Sequence, residues 1–152
     1  MDDTGIDDTG TEVVALVLLA AHQLVEQIQQ GVRDRGFKDV RPAHGFAFAR
    51  LASGGATIVD LAGHLGVTKQ AASQLVQQLL DSGYVNREAA PDDGRARLIT
   101  LTERGRACTR AADDAARHTV DRWRGKTSPE ALTTLRVALA ALVVRGPVRP
   151  AW

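Results

Sequence analysis

The sequence predicts a mainly α-helical fold of six helices with one small β-hairpin. Apolar residues recur at three- and four-residue spacings over most of the chain. Ser, Thr or Pro stands where such segments begin, and Gly stands where several end. Only Tyr84–Arg87 and Arg97–Leu101 are strand-like, and a turn-forming loop, Ala89-Ala90-Pro91-Asp92-Asp93-Gly94, separates them.

The elements follow in order. Residues 1–11 read as an acidic disordered tail. A long helix is expected over 12–35, with Val13, Val17, Ala20, Leu24 and Ile28 in one apolar row, Val14, Leu18, Ala21 and Val25 in a second, and Gly36 as its stop. So wide an apolar arc packs against more than one neighbour. A shorter helix runs from Pro42 to about Ala52, where Ser53-Gly54-Gly55 breaks it. Thr57 then caps a short helix, with Asp60 three residues on, Ile58, Leu61 and Leu65 inward, and Gly66 at its end. Thr68 caps the next helix, which reaches about Asp81. After the hairpin, Thr102 caps a long Ala-rich helix to about Trp123. Ser128-Pro129 restarts the chain as a helix. In it Leu132, Leu135, Leu139 and Leu142 step by three, four and three, a short coiled-coil-like seam.

Composition bounds the function. The 152 residues are 44% hydrophobic but only 4% aromatic, which implies an aliphatic core. The net charge is +1, yet residues 1–12 hold five acids and no base, so residues 13–152 carry +6. One cysteine, Cys108, excludes an internal disulfide framework. The start lacks the pattern of a signal peptide, no stretch of roughly 18 apolar residues stands out, and a cytoplasmic protein without a membrane partner is expected.

The chemistry concentrates in residues 57–105. Between Lys69 and Asp81, Ala72, Leu75, Val76, Leu79 and Leu80 form a buried stripe. Gln70, Gln74, Gln77 and Asp81 hold the opposite direction, flanked by Ser73 and Gln78. Amides both donate and accept, as the base edges of a major groove require, and Gln pairs bidentately with adenine. A polar surface without a task is the plain alternative. Residues at the start of such a helix reach deepest, which favours Gln70, Ser73 and Gln74, while Thr68 and Lys69 stand where phosphate would lie. The hairpin adds Arg87 before its loop and Arg95 and Arg97 after it. Arginine at the tip of a β-ribbon suits the negative potential of a minor groove. Asp93 stands two residues from Arg95 and could orient it.

These residues resemble the MarR family of winged helix–turn–helix regulators. Asp93-Gly94-Arg95 followed by Leu101-Thr102-Glu103-Arg104-Gly105 is similar to the family's wing signature. Leu61-Ala62, Leu65-Gly66-Val67 and Thr68-Lys69-Gln70-Ala71-Ala72-Ser73 are similar to its helix–turn–helix. The strong resemblance covers about residues 57–106. It implies an intertwined homodimer, a palindromic double-stranded DNA operator, and repression relieved by a small-molecule effector. It implies Gln70, Ser73 and Gln74 in the major groove and Arg95 in the minor groove. Residues 37–101 would form the DNA-binding domain, 12–36 and 102–146 the helical dimerisation region, and 147–152 a C-terminal tail. Val13, Val17, Leu24, Leu132, Leu135, Leu139 and Leu142 are the expected dimer contacts. His44, Phe46, Phe48 and Trp123 are the expected lining of an effector cleft.

Other classes fit less well. Asp60, His64 and Ser73 could be drawn as a triad, but no nucleophile turn or oxyanion hole accompanies them, so no enzyme is expected. The histidines His22, His44, His64 and His118 are scattered, which argues against a metal site and leaves only a meeting of His44 with His118. Cys108 lies near Arg104 and Arg106 but within an Ala-rich packing stretch, where a buried, inert thiol is expected. No cofactor is called for. A winged helix used only for protein contact is the alternative class.

Overall fold

The computed structural model describes residues 8–90, 97–144 and 146. Along the chain run α1 (Asp8–Asp34), α2 (Pro42–Ala52), α3 (Ile58–Leu65), α4 (Lys69–Asp81), β1 (Val85–Ala89), β2 (Arg97–Leu101), α5 (Glu103–Arg124) and α6 (Pro129–Leu142). The order is that expected from the periodicity, and three boundaries differ, one of them the end of β1, which runs on through Ala89 where the sequence places the loop. α1 begins at Asp8, so residues 8–11 are helical rather than part of a tail. Asp8 and Glu12 fall in its first turns, where carboxylates suit the positive end of the helix dipole.

The third difference lies at Tyr84, which closes α4 instead of opening β1. Its N–H bonds the carbonyl of Leu79 at 2.9 Å, and Gly83 N–H bonds that of Leu80 at 3.0 Å. This closure needs a left-handed residue between helix and strand, and Gly83 supplies it with φ +73°. The turn sends the Tyr84 side chain inward, to 1% exposure.

β1 and β2 pair antiparallel, with Val85 opposite Leu101 and Ala89 opposite Arg97. Ala56 joins the outer edge of β2 by two hydrogen bonds with Ile99, of 3.1 and 2.8 Å. The hairpin is thereby pinned to the connection between α2 and α3.

One hydrophobic cluster runs through the molecule. Val32 of α1, Val40, Phe48 and Leu51 near and on α2, Leu61 and Leu65 of α3, Val76 and Leu79 of α4, Tyr84, Val85, Ile99, Leu101 and Cys108 of α5 all belong to it. The helix–turn–helix and the first turns of α5 therefore share a core. α1 lies against α5 so closely that a methyl on Gly31 would stand 2.6 Å from Ala115 Cβ. The small residues Ala111 and Ala115 are buried on the α5 face of this crossing.

The two ends of the fold behave differently. Val13 and Val17 of α1 are about half exposed, with Leu16, Leu18 and Leu19 beside them. α6 has no buried residue. The sequence offers Ala, Val and Leu with few charges across residues 13–25. One window within Thr9–Asp34 is in consequence long and apolar enough to cross a membrane by length and composition, contrary to the expectation that no such stretch exists. None of that window is buried within the single chain.

Candidate nucleic-acid interface

α3 and α4 are held by side-chain caps. Thr57 Oγ1 accepts the Asp60 N–H at 3.1 Å, while Asp60 Oδ2 accepts the Thr57 N–H at 2.9 Å and the Thr57 hydroxyl at 2.8 Å. The carboxyl of Asp60 is thus engaged at a helix start, with its pKa lowered first by the Thr57 backbone bond. Gly66 ends α3, and Thr68 Oγ1 accepts the Ala71 N–H at 3.1 Å to open α4. The first turn of α4 contains Lys69 and no acid, so its positive end is not neutralised locally.

α4 buries Ala72, Val76 and Leu79, with Leu75 and Leu80 packed partly against the core. Lys69, Gln70, Gln74 and Gln77 are exposed and Ser73 is half-buried. The four glutamines have unequal freedom. Gln77 donates to Asp81 Oδ1 at 2.8 Å. Among the described residues no side-chain hydrogen bond engages Gln70 or Gln74. The pair nearest the start of the helix is left to present its amides outward.

The register places Val85, Arg87, Ala89, Arg97, Ile99 and Leu101 on one face of the hairpin. That face is buried at its base through Val85, Ile99 and Leu101. Toward the tip it carries the exposed guanidinium side chains of Arg87 and Arg97. On the other face Thr100 donates to Glu88 Oε1 at 2.8 Å. Asp93 and Arg95 lie outside the described residues.

Behind the interface, His44 is 6% exposed at the start of α2. Its Nδ1 accepts the Arg41 N–H at 3.2 Å. Burial holds the imidazole below its ordinary value of 6.5; Arg41 lowers it further, while Gln78 and Asp39 raise it. The unfolded chain therefore takes up this proton at a higher pH than the folded one. The stability that neutral His44 supplies is present above about pH 6.5 and is lost as pH falls through the lower folded value. The urea midpoint of the wild type should drop between pH 7.5 and pH 5, and His44→Gln should flatten that drop. An equal slope in the variant would show that other groups cause it.

A cavity of about 220 Å³ lies between α1, α2 and α5, lined by residues that include Val25, Ile28, Val32, Phe46, Phe48 and Cys108. Of the four residues expected to line an effector cleft, Phe46 and Phe48 are there. His44 is not among its lining residues, and Trp123 lines a separate hollow of about 590 Å³ between α5 and α6, with Leu132, Leu135 and Leu139. His118 lines a polar hollow between α1 and α5, so it and His44 do not share a cavity. Burial first, then the Asp39 carboxylate, push the Cys108 thiol up to about 11, which keeps it protonated at neutral pH.

A polar cluster that sequence reading missed lies on the same side of the core. Tyr84 Oη donates to Asp39 Oδ1 at 2.6 Å and accepts from Arg104 Nη2 at 3.0 Å. Asp39 and Arg104 stand 3.6 Å apart. The three come from the α1–α2 connection, the end of α4 and the start of α5, and no local spacing links them.

Residues 39–96 match the sequence profile of the MarR family. This segment is the one that holds α2, the capped α3–α4 pair and β1. Over these residues the chain is similar to the MarR family. It is 32% identical over 89 residues to the HTH-type transcriptional regulator PetP of Rhodobacter capsulatus, covering 59% of this chain and 54% of that protein. It is 40% identical over 65 residues to the HTH-type transcriptional repressor Rv2887 of Mycobacterium tuberculosis, covering 43% of this chain and 47% of that one. The chain thus spans about half the length of these relatives. The whole fold is similar to the crystal structure of RV1404 from Mycobacterium tuberculosis, with a TM-score of 0.75, 22% identity, and 93% and 94% of the two chains covered. Within this fold α3 and α4 are the helix–turn–helix, and β1 and β2 are the wing.

Proposed function

We propose that this chain is a sequence-specific, duplex-DNA-binding transcriptional regulator, a repressor of the MarR type that acts in the cytoplasm and not an enzyme. The observation that carries the reading is the outer face of α4, where Gln70 and Gln74 are exposed and unengaged beside Ser73. In this reading those three side chains read base edges in the major groove, and Thr68, Lys69 and Gln77 support them at the backbone. Arg87, Arg95 and Arg97 enter the adjacent minor groove, with Asp93 orienting Arg95. The names of PetP and Rv2887 support the same activity.

The working unit is a homodimer. The exposed apolar half of α1 and the helix α6, which buries no residue, support it, since both leave apolar side chains uncovered among the described residues. Val13, Val17, Leu24, Leu132, Leu135, Leu139 and Leu142 would meet their counterparts there. Two heads would then address a palindrome with half-site centres roughly 34–36 Å apart. The cavity beside Phe46 and Phe48 suits a small, largely apolar effector that favours a head spacing unfit for DNA.

Selection of bound duplexes from a random pool tests this directly. A palindromic motif with half-sites about one helical turn apart is expected. Retention of no duplex even at low salt would favour a protein-contact module instead.

A further inference from the structure

We propose that Asp39, Tyr84 and Arg104 are positioning residues for DNA binding, a latch that fixes the angle between the reading head and α5. Its consequence for DNA rests on the reading above, whereas the latch itself rests on the geometry.

Tyr84 is clamped at both ends. Its backbone N–H bonds Leu79 at the end of α4, and its carbonyl accepts the Thr102 N–H at 3.0 Å at the start of α5. Its hydroxyl uses both its capacities, donating to Asp39 and accepting from Arg104. The Arg104 guanidinium also lies over the Tyr84 ring at 4.5 Å and over the Phe37 ring at 5.9 Å. Phe37 and Asp39 belong to the connection that follows α1. The latch therefore joins the two long helices, α1 and α5, to the residue where the recognition helix becomes the wing.

A phenylalanine would fill this core equally well. A hydroxyl placed in an apolar site is costly unless paired, and here the pairing is complete. Rotating α4 and the wing about α5 would pull the hydroxyl from Asp39 or from Arg104. The ring has a further neighbour in Phe48, 5.5 Å away, which also lines the α1–α2–α5 cavity. None of the three latch residues belongs to the surface assigned to DNA, so their effect on binding must pass through head orientation.

Tyr84→Phe keeps the ring and removes only the hydroxyl. Asp39→Asn keeps an acceptor and removes the charge that faces Arg104. Two measurements decide the proposal. Spin labels on Asp81→Cys and Arg117→Cys, in labelled chains diluted with an excess of unlabelled ones, report the separation of α4 from α5 within one chain. A single narrow distribution is expected in the parent and a broadened one in both latch variants. Duplexes carrying the selected palindrome, or the same half-sites moved apart by one base pair, report the consequence. Tyr84→Phe should lose about five- to tenfold in affinity at the selected spacing, as one lost hydrogen bond implies. It should lose much less at the wider spacing, and its salt dependence should equal the wild type's. An unchanged label distribution overturns the latch. Equal losses at both spacings also overturn it, because they mark a merely structural role. A broadened distribution with no duplex bound by the wild type leaves the latch standing and removes the DNA reading.

Discussion

Gly105→Ala should unfold at a markedly lower urea concentration than the wild type, a loss of roughly 3 kcal/mol. Propensity alone predicts the opposite sign, since Ala in a helix is favoured over Gly by about 1 kcal/mol. Steric contact decides. A Cβ on Gly105 would lie 2.2 Å from the Tyr84 carbonyl oxygen, 3.2 Å from its carbon and 3.0 Å from Leu101 Cδ2. The carbonyl cannot simply retreat, because it accepts the Thr102 N–H at 3.0 Å. Moving it would also disturb the hydroxyl contacts of the same residue. Against the roughly 5–15 kcal/mol that typically separates folded from unfolded domains, the loss is large. Gly63→Ala in α3 is the control, since a Cβ there meets nothing within 4 Å. It should be neutral or stabilising. An unaltered midpoint for Gly105→Ala would mean that α5 can shift away from Tyr84.

Local chemistry was legible in the sequence and long-range contact was not. Thr57, Thr68, Thr102 and Ser128 each accept the backbone N–H three residues on, as their positions before apolar runs suggest. The stripe Ala72, Val76 and Leu79 follows from a period of 3.6 residues. In the sequence Tyr84 opens a strand-like segment, but the Gly83 turn before it makes it the closing residue of α4. Asp39, Tyr84 and Arg104 are separated by 45 and 20 residues, so only the fold brings them together. The same holds for the Ala56–Ile99 bridge and for the close crossing of Gly31 with Ala115. The expected cleft lining divides for a similar reason. Phe46 and Phe48 follow His44 by two and four residues on one short helix, yet the His44 side chain turns back to accept the Arg41 N–H. Trp123 lies too far along α5 to reach the cavity and faces α6 instead.

The unequal freedom of the glutamines yields the second large effect. Replacing Gln70 and Gln74 together by Ala should cost about 1–3 kcal/mol for each lost contact, at one or two base pairs per half-site. In the proposed symmetric dimer every substitution occurs twice, so the loss on the full palindrome should exceed that on a single half-site. Stability should hardly change, because both side chains are exposed and Ala is the better helix former. Gln77→Ala should matter less, since the Gln77 amide already bonds Asp81 at 2.8 Å. Lys69→Ala provides the contrast. As a phosphate contact it should weaken every duplex by a similar factor and reduce the salt slope by about one per site. Binding of wild type and variants to the selected palindrome, to its single-base changes and to random duplex separates these patterns. If the glutamine pair weakened all duplexes alike, α4 would be gripping the backbone, and base reading would have to come from the wing.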